Sequence, residues 1–598
     1  MQTSQTVKEE CEALLVRILK EKYSIVDVNP KVEVHFEQSR KADASCSIAF
    51  QLAGKLKKKP AEIAEEIVES CNTTNIQASK QAKQAKQQSK FVEKISSVNG
   101  FVNFTFSNEY YEQALSNSLE KNYGDATLNG KTAMVEYSSP NVGKPLHIGH
   151  VRSTIYGDVL KKLLKSQGWK TIGSNYLCEA GTQVSKLIVG LRHYGALKVK
   201  DEKELLEYYV KINAEIEKNP ALAEETRNTL EKMEAGEKEI AAELKKVRDL
   251  SVPPIHRIYK QLEVEFDEEI FDSDFIESGK KVVERAIQNK IAFKDKNNEV
   301  VANLEEYKIP NLIILRSNGT TLYSTRDLGL AESRWKKYKP DFSIIVTGSD
   351  QILHFKQFIK ILELLKMPIA EKMKHIGYGL VMLPEGKISS RLGRVVLLQD
   401  IIDEAAKAAE KEILSRQSDV EQKELKQRAL AIGVSALKFA ILKVSAEKNI
   451  TFDFEKMASF EGDTGPYLQY SLVRCKSILE KAENKNKQTE TQKIQKTAKK
   501  ITKTREKYEL NNEEKELLLQ ISGFPTILAN SANSLSPHVL CDYLLKTAAA
   551  FSKFYSMHSV LEAENQAAKE KRIQIVKATT NVMQSGLNLL GITPLEKM

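Results

Sequence analysis

The stretch from Lys131 to Leu177 constrains the fold most. TAMVEYS, from Thr132, is apolar enough to be a buried strand, and after His150 the residues Val151, Ile155, Val159, Leu160, Leu163 and Leu164 recur at helical spacing until Gly168. WKTIGSNYL then reads as a second strand. Strand, crossover helix and strand in so short a span make a right-handed βαβ unit, the building block of a parallel sheet. NLIILRS, FSIIVTGSD and HIGYGLVML repeat the buried-strand pattern downstream. The sequence therefore predicts a multidomain α/β protein with a doubly wound, Rossmann-like parallel sheet at its centre.

At 598 residues the chain is too long for a single core, because domains usually hold about 100–200 residues. Shifts of pattern divide it into three. Residues 1–128 combine an amphipathic opening helix (Cys11, Leu14, Leu15, Ile18, Leu19) with the alternating runs VEVHF and FVNFTFS, and read as a small α+β domain. Residues 129–398 carry the sheet, with a charged helical insertion at about 190–260. Residues 399–598 keep only helical periodicity and read as an all-α bundle. Two lysine-rich tracts are expected at the surface: ASKQAKQAKQQSK from Ala78 as a solvated helix or loop, and Glu480 to Lys507 as an exposed hairpin or loop.

A formal charge of +10 suits a polyanionic partner, since lysine and arginine beside phosphates release condensed counterions. The six cysteines are scattered, with no CxxC and no neighbouring histidine to complete a zinc site, so free thiols and no protein-bound zinc are expected. The N-terminus lacks a signal-peptide core, and the most apolar helical run, LAIGVSALKFAILKV, is broken by Lys438 and Lys443. The expected setting is cytoplasmic, without a membrane partner.

HIGH, at His147 to His150, falls where the first central strand passes into its helix. There, free backbone N–H groups and the positive dipole end attract phosphate. His147 and His150 can donate to triphosphate oxygens, and Gly149 lets an adenine or ribose approach the backbone. LPEGKISSRLG follows a later buried strand; Lys387, Ser389 and Ser390 offer a charge and two hydroxyls to a departing pyrophosphate. HIGH and KISSR in this order, on strand ends of one sheet, resemble the two signatures of class I aminoacyl-tRNA synthetases. SSPNVGKPLHIGH, NYLCEAGTQ, LYSTRDLG, SFEGDTGPYLQYSLVR and the ending SGLNLLGITPLEKM are similar to blocks of the arginyl-tRNA synthetase family.

That resemblance implies an arginine–tRNA ligase. ATP, carrying Mg2+, would activate L-arginine to arginyl-adenylate, which then passes to the 3′ end of tRNA(Arg). It implies a monomer, with His147, Gly149, His150, Lys387, Ser389 and Ser390 binding ATP. Ser139, Asn141, His150, Asn175, Tyr323, Asp327, Gln351 and Asp272 would hold arginine. A planar cation suits this set, because it wants a carboxylate fork and an aromatic or hydroxyl neighbour. Asn103, Phe106 and Asn108 match positions contacting the tRNA D-loop, and Tyr470, Tyr555 and Met598 positions near the anticodon. Four departures stand out: Ser390 replaces the signature's second lysine, Leu392 replaces a further one, FDSD at Phe271 to Asp274 offers Asp272 where the family usually has a glutamate, and the GTQ block lacks its usual tryptophan. The resemblance gives the missing charge to Lys144, which together with His147, His150 and Lys387 would be catalytic. Competing readings are another class I synthetase, a HIGH-type nucleotidyltransferase or an inactive tRNA-binding paralogue. The YSTRD block and helical third argue against the first two, and intact His147, His150 and Lys387 against the last.

Overall fold

The computed structural model describes residues 3–36, 42–81, 90–195, 202–383, 396–494 and 508–598. The opening helix Thr3–Tyr23 buries Cys11, Leu15, Ile18 and Leu19, the stripe its spacing implies. It packs beside an antiparallel sheet of β1 (Val32–Val34), β2 (Ala44–Cys46), β3 (Val92–Val98) and β4 (Phe101–Phe106), ordered β1-β2-β4-β3. Along β4 the alternation turns Val102, Phe104 and Phe106 into the core and leaves Phe101 40% exposed.

The βαβ unit forms where its periodicities change: β5 (Thr132–Glu136), helix Ile148–Ser166 and β6 (Lys170–Leu177). β7 (Glu268–Phe271) extends the sheet past β6. Its sequence, EEIF, does not look like a strand because it is a half-exposed edge, where charged side chains face outward. β8 (Ala292–Lys294), β9 (Val300–Ala302) and β10 (Leu312–Leu315) make a separate antiparallel sheet. NLIILRS therefore lies outside the central sheet; Ile313 is 39% exposed, which a strand covered on both faces would not permit. β11 (Phe342–Gly348) and β12 (Met373–Tyr378) complete a five-stranded sheet of order β12-β11-β5-β6-β7, every pairing parallel. Successive connections run to opposite sides of β5, so the crevice for a ligand opens at the C-terminal ends of β5 and β11.

The insertion comprises helices Glu202–Ile216, Pro220–Glu234 and Lys238–Gln261, which share a core with helix Thr182–Tyr194 through Leu187, Leu191, Leu230, Leu244 and Val247. Beyond Leu398 the described chain is almost entirely helical. Helix Gly465–Ile494 runs through the first part of the lysine-rich stretch, so the expected hairpin or loop is a helix there; residues 495–507 lie outside the described set. The tract after Ala78 is helical to Gln81, and residues 82–89 also lie outside it.

Helix Ile148–Ser166 joins the sheet to the helical third. Fully buried Arg152 donates to the carbonyls of Gly379 (2.9 Å), Ser445 (2.8 Å) and Lys448 (2.5 Å). Tyr156 Oη donates to the Leu535 carbonyl at 2.8 Å, and Lys438, buried in the bundle, donates to that of Gly591. Among the described residues no helix is long and apolar enough to cross a membrane.

Candidate active site

The turn leaving β5 is bent by two consecutive left-handed residues, Ser138 (φ 68°) and Ser139 (φ 47°), a conformation that side-chain-bearing residues adopt only when surroundings hold them. Ser138 N–H donates to Ser153 Oγ at 3.0 Å, and its hydroxyl lies 2.7 Å from Tyr259 Oη. Ser139 N–H donates to Asn175 Oδ1 at 3.3 Å, while Asn175 Nδ2 donates to Glu269 at 2.9 Å. Glu269 thus fixes which way the buried Asn175 amide faces. Asn141 bridges in parallel to Cys178, closing the turn against the end of β6.

His147 caps helix Ile148–Ser166: its Nδ1 accepts Gly149 N–H at 3.1 Å, and His150 Nδ1 accepts His147 N–H at 3.2 Å. With both Nδ1 atoms accepting, each ring carries its proton on Nε2 and keeps there one donor that meets no partner among the described residues. The ring centroids are 4.0 Å apart. Burial pushes His150 down to about 3 from the ordinary 6.5, helped by His147 and Lys144, and burial with Lys144 also lowers His147. Both rings are neutral donors at physiological pH.

His375, hydrogen-bonded to Thr347 Oγ1 at 2.7 Å, is likewise held at about 4 by burial and by His354. The unfolded chain protonates these rings near pH 6.5 and the folded chain only near 3 and 4. Between those limits the unfolded state binds more protons, so stability falls as pH drops. The expected result is a thermal midpoint that declines from pH 7 toward pH 4, with a shallower decline in His150→Asn and His375→Gln proteins measured by circular dichroism.

Lys144 reaches over the Tyr209 ring of the insertion, its Nζ 4.5 Å from the centroid. Lys387, Ser389, Ser390 and Leu392 lie outside the described residues. On one side of them β13 (Val381–Met382) pairs with β14 (Ile450–Thr451); on the other, Val396 O accepts Ile148 N–H at 3.0 Å and Leu398 N–H donates to Leu146 O at 2.9 Å. The described chain following that segment is therefore fastened to the HIGH turn itself.

Tyr323 opens helix Tyr323–Tyr338 at the crevice, 47% exposed, and Asp327 follows one turn later on the same face. Asp327 accepts a hydrogen bond from His354 Nε2 at 2.9 Å, and His354 follows the turn Ser349–Gln351 that places exposed Gln351 on the rim above β11. Tyr176 and Cys178, at the end of β6, lie within electrostatic reach of Asp327 and Asp272.

Asp272 departs from the expectation. Its Oδ1 accepts the N–H groups of Glu179 and Ala180 at 2.7 and 2.8 Å, and its Oδ2 accepts Arg326 Nε at 2.9 Å. Buried and occupied by an internal guanidinium, it has no fork to offer a ligand; FDSD by itself does not reveal that Arg326 reaches it. Arg326 in turn lies 5.2 Å from the centroid of Tyr323. The structure adds a buried carboxylate that the sequence reading missed: Glu136, at the end of β5, pairs with Arg334 near Asp327. A charged residue closing an otherwise apolar strand was its available signal.

Of the residues expected to meet RNA, Asn103 is half-buried on β4 and Asn108 begins helix Asn108–Ser118. Phe106 is 1% exposed and packs on Tyr110 with centroids 4.3 Å apart, so it cannot stack on a base. The exposed aromatics nearby are Phe101 and Phe50, whose centroids are 5.1 Å apart. In the bundle Tyr470 stacks on Phe460, Met598 packs against the cluster containing Phe460, and Arg474, one turn from Tyr470, lies 4.4 Å from the centroid of Tyr555.

Comparison with known proteins agrees across the whole chain. The family profile "Arginyl tRNA synthetase N terminal domain" matches residues 2–106, "tRNA synthetases class I (R), catalytic domain" residues 112–454, and "DALR anticodon binding domain" residues 468–598. An arginine–tRNA ligase of Clostridium botulinum is 36% identical over 556 residues, covering 92% of this chain and 93% of its own. One from Clostridium acetobutylicum is 34% identical over 588 residues, 96% of each chain. The arginyl-tRNA synthetase structures of Thermus thermophilus (24% identity, TM-score 0.76, 99% and 100% covered) and Plasmodium falciparum (21%, 0.77, 99% of each) share its fold.

Proposed function

Because the chain belongs to the arginyl-tRNA synthetase family and is an arginine–tRNA ligase of class I, we propose that its chemistry runs in the crevice between His147 and Asp327. The carboxylate of arginine attacks the α-phosphate of ATP, giving arginyl-adenylate and pyrophosphate. The 3′-terminal ribose of tRNA(Arg) then takes the arginyl group and AMP leaves. Mg2+ enters as part of the nucleotide substrate.

The observation that carries this reading is the paired cap of HIGH, which occupies both Nδ1 atoms at a helix N-terminus and leaves two neutral Nε2–H donors without a partner among the described residues. The protein's contribution is placement and charge stabilisation rather than covalent catalysis. His147, Gly149 and His150 would receive the nucleotide, with Lys144, Lys387, Ser389 and Ser390 following the phosphates. Ser139, Asn141, Asn175 and Gln351 would hold the amino-acid end of arginine, and Tyr323 and Asp327 its cationic side. We assign Asp272 to support Arg326. Residues 1–128, 129–398 and 399–598 serve as tRNA-contacting, catalytic and anticodon-binding parts. Asn103 and Asn108, with Phe101 in place of Phe106, would meet the D-loop, and Tyr470, Tyr555 and Met598 the anticodon. Free thiols suit a cytoplasmic monomer.

Pyrophosphate exchange and tRNA charging with each amino acid test the reading: arginine alone should support both, and charging with lysine would overturn it. Asp327→Asn removes the carboxylate charge assigned to the guanidinium. It should raise KM for arginine about 10- to 100-fold with KM for ATP unchanged, given about 1.5–3 kcal/mol for a charged hydrogen bond.

A further inference from the structure

Resting on the assignment of Lys144 to the phosphates, we propose that Tyr209 is a positioning residue, an aromatic rest on the helical insertion that holds the Lys144 ammonium ready for incoming ATP.

Three observations support it. The ammonium lies 4.5 Å from the Tyr209 centroid, within the range of cation–π attraction, and among the described residues Lys144 forms no ion pair. That combination matters chemically. A carboxylate would fix the lysine by cancelling its charge, whereas the face of a ring restrains the flexible side chain and leaves the positive charge, with its N–H donors, free for phosphate. Lys144 also contributes to lowering both HIGH imidazoles, which places its charge within electrostatic reach of the same cap.

Finally, the insertion that carries Tyr209 is registered against the site walls. Ser251 Oγ accepts Gly143 N–H at 3.0 Å, pinning the residue next to Lys144. Glu234 accepts the N–H and hydroxyl of Thr321, each at 2.9 Å, just ahead of Tyr323. Arg248 pairs with buried Glu179 in the GTQ block. Asn213 ties the Tyr209 carbonyl (2.7 Å) to Lys186 (2.8 Å). A ring mounted on that scaffold has a defined place relative to the HIGH turn.

The test is a double-mutant cycle on the full-length protein, read by arginine-dependent pyrophosphate exchange with ATP varied. Tyr209→Leu should lower kcat/KM for ATP about tenfold, the size expected of a partly desolvated cation–π contact, with KM for arginine unchanged. Tyr209→Phe, which keeps the ring face, should stay within about twofold of the unaltered enzyme. In a Lys144→Met background, Tyr209→Leu should add nothing. If Lys144→Met has full activity, the phosphate role of Lys144 fails and this inference with it. If Lys144→Met is impaired but Tyr209→Leu multiplies the loss, or Tyr209→Phe is as poor as Tyr209→Leu, the ring does not act through Lys144 and this inference alone is overturned.

Discussion

His150→Asn is expected to slow pyrophosphate exchange by about 10²–10³-fold, the usual cost of losing one oriented donor to a developing anion, while the folded protein keeps its stability. The separation follows from the two ends of the ring. Nδ1 accepts the His147 N–H and closes the helix cap, and an asparagine oxygen reaches nearly the same point, so the cap, worth about 1 kcal/mol, survives. Nε2 has no such substitute. Exchange rates and circular-dichroism melting on the same preparation decide the matter. An unchanged rate would remove His150 from the phosphates, and a fall in melting temperature matching the loss of rate would make it a cap residue only.

The second large effect concerns a residue that the sequence suggested for the substrate. Asp272→Ala should destabilise the protein by about 3–5 kcal/mol, because removing one member of a buried ion pair strands the other. Arg326 would remain buried without its carboxylate, and the Glu179 and Ala180 N–H groups would lose their acceptor. Urea denaturation measures this directly. Replacing both partners with leucine should recover part of the loss, since an apolar pair leaves no uncompensated charge. Were Asp272 instead a substrate ligand, Asp272→Ala would raise KM for arginine and leave the urea midpoint in place.

The parts of the site that were legible in the sequence are those governed by local spacing. Val151 to Leu164 recur at helical intervals and pack on one buried helix, and the HIGH histidines form its N-cap and first turn, where any helix exposes N–H groups. Tyr323 and Asp327 lie one turn apart in the sequence and do share a face. Alternation in FVNFTF foretold that one set of side chains turns inward, but not which: Phe106 went to the core and Phe101 to the surface because helix Asn108–Ser118 brings Tyr110 against the inward face.

By itself the sequence determined the central βαβ unit, the helix cap formed at HIGH and the membership in one enzyme family, since each is written in residues a few positions apart. Tertiary structure alone decided that NLIILRS joins a separate sheet, that Arg326 claims Asp272 across 54 residues, that Arg152 gathers carbonyls from Gly379, Ser445 and Lys448, and that the insertion lays Tyr209 over Lys144. A periodicity fixes which side of an element is buried; what lies against that side depends on segments folded in from far along the chain, and a buried charge takes whichever partner the packing delivers.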